Sequence, residues 1–181
     1  MLKKVFFIFL LVAIFSTCKK EVIKESKKEI LTGSFTEITS VKTVNYNQLK
    51  PLLEKKDDKT YIINFWATWC APCVKELPYF ERITKEYADK NVEVLLVSLD
   101  FPKQVDKKLI PFINKRKLKS EVIYFNDINE DVWIKDIEES WSGAIPATII
   151  YNKSKRKFYE QSFDYQTLEN ELKTFLKPFK S

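Results

Sequence analysis

The 181-residue sequence contains no histidine and only three cysteines, Cys18, Cys70 and Cys73. A structural zinc site takes about four ligands, usually cysteine and histidine, so these two shortages together argue against one. Long apolar runs are missing as well. The longest, Val5 to Phe15, falls short of the roughly 20 residues that a membrane-spanning helix needs. There is no large surplus of one charge: the 31 Lys and Arg against 25 Asp and Glu leave +6, or +4 once Lys3 and Lys4 are set aside with an N-terminal leader. Spread among so many acids, that excess describes a solvated surface and not a nucleic-acid footprint. The 45% hydrophobic content is enough for one core of ordinary size.

What the sequence does have is the stretch Tyr61 to Pro78, around which the rest is organised. Tyr61, Ile62, Ile63, Asn64, Phe65 and Trp66 are β-branched or aromatic on both faces, as in a strand buried between two layers. Cys70 and Cys73 come next, where a helix should begin. A helix N-terminus stabilises a thiolate through unpaired N–H groups and the positive end of the dipole, which makes Cys70 the attacking sulfur. Cys73, a turn further in, is the resolving one, displacing a bound substrate and closing the internal bridge. Pro72 suits a first helical turn, where a missing N–H costs nothing. Competing readings are a purely structural disulfide, which would remove little chain entropy from so short a loop, and an inactive fold that retains its cysteines.

Phe65-Trp66-Ala67-Thr68-Trp69-Cys70-Ala71-Pro72-Cys73, followed by Lys75-Glu76-Leu77-Pro78, resembles the active-site signature of the thioredoxin superfamily, and more narrowly that of the TlpA/ResA/DsbE-like envelope thiol-disulfide oxidoreductases. The looser likeness runs from about Lys42 to the C-terminus. It implies a thioredoxin-like α/β fold, with a central mixed β-sheet flanked by helices on both faces and an inserted α/β element. It implies that the Ile145-Pro146 bond is cis, in a loop facing the cysteines where the residue before the proline offers its backbone to a substrate strand; proline is the residue for which a cis bond is cheap. An ordinary trans proline opening a strand is the alternative. Thioredoxins usually bury an aspartate where this chain has Asn64. The resemblance therefore gives its task to Glu76, as a partly buried acid of raised pKa exchanging protons with Cys73. A solvent-facing helical glutamate is the other reading. The aromatics near the pair have two readings, groove or core, with no specific signal to separate them: Trp69 is assigned to the substrate groove, Trp141 to substrate contact and Trp66 to the core. The active-site turn is Trp69, Ala71 and Pro72; the substrate-binding set is Ile145, Pro146 and Trp141; no metal or other cofactor is expected.

Lys3 and Lys4 before the apolar run match a signal peptide over residues 1–17, and Phe15-Ser16-Thr17-Cys18 resembles a bacterial lipobox despite Thr17 and Phe15. Lipidation of Cys18 would also remove an odd thiol from an exported redox protein. The alternative is an uncleaved anchor. Residues 18–33 read as a lipidated flexible tether, charged and poor in aromatics, and residues 34–181 as the thioredoxin-like domain. Placement in the cell envelope is implied, with the outer membrane favoured in a double-membraned host because Lys19, not Asp, comes after the cysteine.

Along the domain, Leu49, Leu52 and Leu53 have helical spacing within Tyr46 to Lys56, while Ser34 to Val44 is ambiguous between a strand and an ordered arm. Leu77, Phe80, Ile83 and Tyr87 mark the helix after Cys73, which Pro78 kinks as in thioredoxins. Val92 to Leu99 and Glu121 to Phe125 read as strands. Between them Val105, Leu109, Phe112 and Ile113 outline a helix that Pro111 kinks or restarts. Asn129 to Ile137 is a short helix, Ala147 to Tyr151 and Lys157 to Ser162 a hairpin, and Asp164 caps a last helix carrying Leu168, Leu172, Phe175 and Leu176. The functional expectation is an envelope thiol-disulfide oxidoreductase that reduces exported proteins, with apocytochrome c as one candidate, recharged by a membrane electron donor such as a DsbD/CcdA-like reductant, anchored by lipid, monomeric and without nucleic acid. The alternatives are a disulfide oxidase or isomerase, a peroxiredoxin-like peroxidase, and a non-catalytic lipoprotein binding module.

Overall fold

The computed structural model describes residues 35–176. The leader, Cys18 and the whole of the tether lie outside the described residues. The chain divides into units 1–36 and 37–181, and among the described residues every helix and strand belongs to the second. This unit begins with β1 (Lys42–Val44), which settles the ambiguous segment as a short strand. Asn45 then caps α1 (Tyr46–Leu49) in a reciprocal box with Gln48. Where one helix was expected through Lys56, α1 passes into a 3₁₀ turn at Lys50–Leu53, because Pro51 has no N–H to continue the α ladder.

The core strand β2 (Thr60–Trp66) is buried at all seven positions, as its two-faced apolar pattern requires. It leads into α2 (Ala71–Glu86), which runs on through Pro78. β3 (Val92–Ser98) is next. Pro111 does restart the next helix: a π turn at Val105–Leu109 gives way to α3 (Ile110–Arg116), with the proline in its first turn. Then come β4 (Glu121–Phe125), α4 (Glu130–Ile137), the hairpin β5 (Ala147–Tyr151) and β6 (Arg156–Tyr159), and α5 (Tyr165–Lys173), whose N-cap Asp164 accepts from the Thr167 N–H.

The six strands form one mixed sheet in the order β1-β4-β3-β2-β5-β6. β1, β4, β3 and β2 are parallel; β5 and β6 are antiparallel to their neighbours. Alternation along β2 separates two cores. Ile62 and Trp66 pack with Leu77, Phe80 and Ile83 of α2 and with Leu168 and Leu172 of α5. Tyr61, Ile63 and Phe65 face the other way, onto Leu49 of α1 and Trp133 and Ile137 of α4. Each fully buried side chain of this size contributes about 1.5–3 kcal/mol. Helices thus cover both faces, and the carboxyl end of β2 is left open where Cys70 sits.

Candidate active site

The turn that carries the cysteines is anchored before α2 begins. The buried Asp100 carboxylate, just past β3, accepts from the Thr68 N–H at 3.1 and 3.2 Å, the Thr68 hydroxyl at 2.5 Å and the Ser98 hydroxyl at 2.8 Å. The Cys70 N–H donates to the Ala67 carbonyl at 3.1 Å. Cys70 then occupies the cap position of α2 in extended conformation, and its sulfur accepts from the Cys73 N–H at 3.3 Å. The two cysteines are joined as a disulfide, with Cα atoms 5.3 Å apart. Cys70 retains 5% exposure and Cys73 none, while Ala71 and Pro72 stand outside in the first turn. Asp100 has a faint sequence signal, an acid at the carboxyl end of an apolar parallel strand, where sites on open α/β sheets gather.

Glu76 lies one helical turn beyond Cys73 and is 1% exposed, so the solvent-facing reading does not hold. Its carboxylate accepts from Asn64 Nδ2 at 3.0 Å and from the Phe163 N–H at 2.7 Å. Asn64 also donates to the Thr148 hydroxyl at 3.1 Å, and among the described residues its Oδ1 has no partner. Burial pushes the Glu76 carboxyl up from 4.5 to about 7, against the Phe163 and Asn64 hydrogen bonds, which favour the charged form. Desolvation wins. The result is a buried carboxyl, one helical turn beyond Cys73, whose pKa is raised to about 7.

On the outer side, the Ile145-Pro146 bond is cis, and the Ile145 carbonyl oxygen is 3.7 Å from Cys70 Sγ. Trp141 does not take the expected place. It was expected to contact substrate, but it is 0% exposed and packs against Phe65, Trp133 and Phe158 at centroid distances of 4.9, 5.7 and 5.7 Å. Its indole N–H donates to the Ala144 carbonyl at 2.8 Å, so it supports the loop from beneath. Among the described residues the exposed aromatics are Trp69, 51% exposed, and Phe101, 58% exposed, stacked on each other at 5.7 Å. Sequence reading missed Phe101, which no motif marks.

The three arginines are engaged elsewhere. Arg82 pairs with Glu86, Arg116 lies over the Phe112 ring, and Arg156 pairs with Glu138. A peroxidase would want an arginine at its nucleophile, and none of these contacts is with Cys70. An open depression of about 560 Å³ lies at the opposite end of the sheet among Asp57, Tyr87, Asn91 and Phe175 and holds none of the site residues.

A disulfide at a helix start, a cis-proline loop against it and a six-stranded mixed sheet agree with the comparison to known proteins: the AhpC/TSA family pattern matches residues 37–156. The chain belongs to the AhpC/TSA family. Within it, the thiol-disulfide oxidoreductase ResA of Bacillus anthracis is 33% identical over 127 residues, which is 69% of this chain and 67% of that protein. The thioredoxin-like protein YneN of Bacillus subtilis is 35% identical over 100 residues, 54% of this chain and 57% of that one. In fold, this AhpC/TSA-family chain resembles a thiol:disulfide interchange protein from Chlorobium tepidum, with a TM-score of 0.56 at 17% identity over 66% of this chain and 81% of the other. It also resembles a thioredoxin-related protein from Neisseria meningitidis serogroup B, with a TM-score of 0.56 at 21% identity over 65% and 85%. The family member described here is a thioredoxin-like thiol-disulfide oxidoreductase acting on protein thiols and disulfides.

Proposed function

We propose that this oxidoreductase works as a reductase of exported proteins in the bacterial envelope. Cys70 is the nucleophile, Cys73 the resolving thiol and Glu76 the proton acceptor. The observation that carries the reading is the Cys70–Cys73 pair at the start of α2, with the Ile145 carbonyl beside Cys70 and the buried Glu76 one helical turn beyond Cys73. In the reduced enzyme the Cys70 thiolate attacks one sulfur of a substrate disulfide. The Cys70–substrate bond forms as the substrate bond breaks, and the departing sulfur takes up a proton. Cys73 gives its proton to Glu76 and attacks Cys70 Sγ, releasing the second substrate sulfur, which is protonated in turn. Two electrons and two protons pass to the substrate and the enzyme keeps the disulfide, so no cofactor is needed. Ile145 offers its backbone to the substrate strand, Pro146 shapes that loop, and Trp69 with Phe101 gives the groove an apolar wall.

A membrane electron donor of the DsbD/CcdA-like kind returns the enzyme to the dithiol, and exported thiol proteins such as apocytochromes c are suitable substrates. The protein acts as a monomer, held to the membrane by lipid on Cys18 after removal of residues 1–17. Residues 18–33 form the tether. Palmitate labelling of the full chain that is lost in Cys18→Ser is the expected outcome; label retained in the variant would remove the lipid anchor from this reading.

Direction of electron flow is tested by the reduction potential of the couple, measured by equilibrating the protein with glutathione or dithiothreitol buffers. A value near thioredoxin's, about −270 mV, is expected. The Ala71-Pro72 pair lacks the histidine that helps make strong oxidants. A value near DsbA's, about −120 mV, would instead make the protein an oxidant or isomerase.

A further inference from the structure

The segment 141–145 leads to Ile145 beside Cys70 yet belongs to no helix or strand, so contacts other than a ladder must hold it. Beneath it, the Trp141 indole N–H holds the Ala144 carbonyl, and Lys135 Nζ donates to the Trp141 carbonyl at 3.0 Å. From the other side comes Glu160, the residue just past β6. Its carboxylate accepts from the Ser142 N–H at 3.1 Å, the Ala144 N–H at 3.2 Å and the Ser142 hydroxyl. Both backbone polar groups of Ala144 are therefore taken up by side chains from outside the substrate path. Gly143 makes the turn between them at φ +90°, a conformation that favours glycine. Consistent with a carboxylate that is fully used, the Ser142 hydroxyl, the Ser142 and Ala144 amides and the charge of Lys135 hold the Glu160 carboxyl below its usual range.

We propose that Glu160 is a positioning residue for substrate docking: its carboxylate fixes Ser142 and Ala144 so that Ile145 stands beside Cys70 before a substrate strand arrives. The proposal rests on the reading of Ile145 as the docking residue. A loop held in place before binding does not have to be ordered by the substrate, and that saving appears as affinity. Glu160 touches neither sulfur, so the rate of thiol chemistry is left alone.

The test is single-turnover oxidation of the reduced full-length protein by a peptide bearing an internal disulfide, tracked across peptide concentrations. Glu160→Ala should raise the half-saturation concentration about tenfold, the scale of one lost charge-assisted hydrogen bond. The limiting rate should stay the same, as should the reaction with bis(2-hydroxyethyl) disulfide, which has no backbone to dock. Glu160→Gln, which keeps one acceptor oxygen, should recover part of the loss. An unchanged half-saturation in Glu160→Ala overturns the proposal, and so does a parallel fall in the limiting rate and the small-disulfide reaction, which would mark general damage. A peptide N-methylated at the amide meant for Ile145 separates the two readings. If it binds the wild type as well as its parent does, the Ile145 reading has failed; if it binds worse while Glu160→Ala has no effect, only the role of Glu160 has.

Discussion

Replacing Cys73 by serine is expected to stop turnover and leave Cys70 covalently tied to its substrate. The geometry separates the two sulfurs by access: Cys70 sits at the cap of α2 with its edge exposed, whereas Cys73 is sealed under the first turn. An incoming disulfide can therefore reach only Cys70, whose thiolate is favoured by the helix N-terminus and by the Cys73 N–H aimed at its sulfur. Serine at position 73 fits the same space but cannot displace a disulfide near neutral pH, so the mixed disulfide persists. Mass spectrometry should find one substrate adduct per Cys73→Ser chain, released by dithiothreitol. Cys70→Ser should give no adduct and no turnover. Adducts of equal yield in both variants would contradict the division of labour between the two thiols.

The second large effect is a dependence of stability on pH that runs through Glu76. Burial raises its folded pKa from 4.5 to about 7, so the folded protein holds this proton more tightly than the unfolded chain does. Its stabilising contribution is complete below about pH 4.5 and drains away as the pH climbs through 7. Between about pH 5 and pH 8 the oxidised protein, whose cysteines do not titrate, should lose roughly 2–3 kcal/mol more stability than Glu76→Gln. Urea unfolding at the two pH values reads this difference directly. Glutamine keeps the shape and an acceptor for either Asn64 or Phe163, but it has no charge to desolvate. Equal slopes in the two proteins would mean that the carboxyl is hydrated in solution and is not the proton store assigned to it.

Several features were legible because they are local. The run ending in Trp66, the cysteine spacing and Pro72 lie in the one short stretch from Tyr61 to Cys73, and their residue types alone specify a buried strand, a turn and a helix start. Ile145-Pro146 was legible for the same reason, and it is cis where the family resemblance placed a cis bond. Helical spacing put Glu76 on the same side as Cys73, Leu77, Phe80 and Ile83, all of them buried. It could not decide how deep that face lies. Asn64, 12 residues earlier, and Phe163, 87 residues later, close over the carboxyl, and only the packing of β2 and the approach to α5 against α2 brings them there.

Trp141 shows the limit from the other side. An aromatic near the catalytic loop looked like a substrate contact, but a large ring goes where apolar volume is available, and here Phe65, Trp133 and Phe158 from three separate elements supply it. Glu160 has no motif at all and Asp100 only a faint positional signal; each takes donors from another loop, Ser142 and Ala144 for Glu160 and Thr68 for Asp100. The sequence by itself determined the chemistry, two thiols at a helix start opposite a proline loop, because that chemistry is written in short contiguous stretches. Tertiary structure decided which acid is buried behind the thiols and which carboxylate braces the loop in front. Those hydrogen bonds exist only once the β5–β6 hairpin has paired and α2 has packed on the sheet.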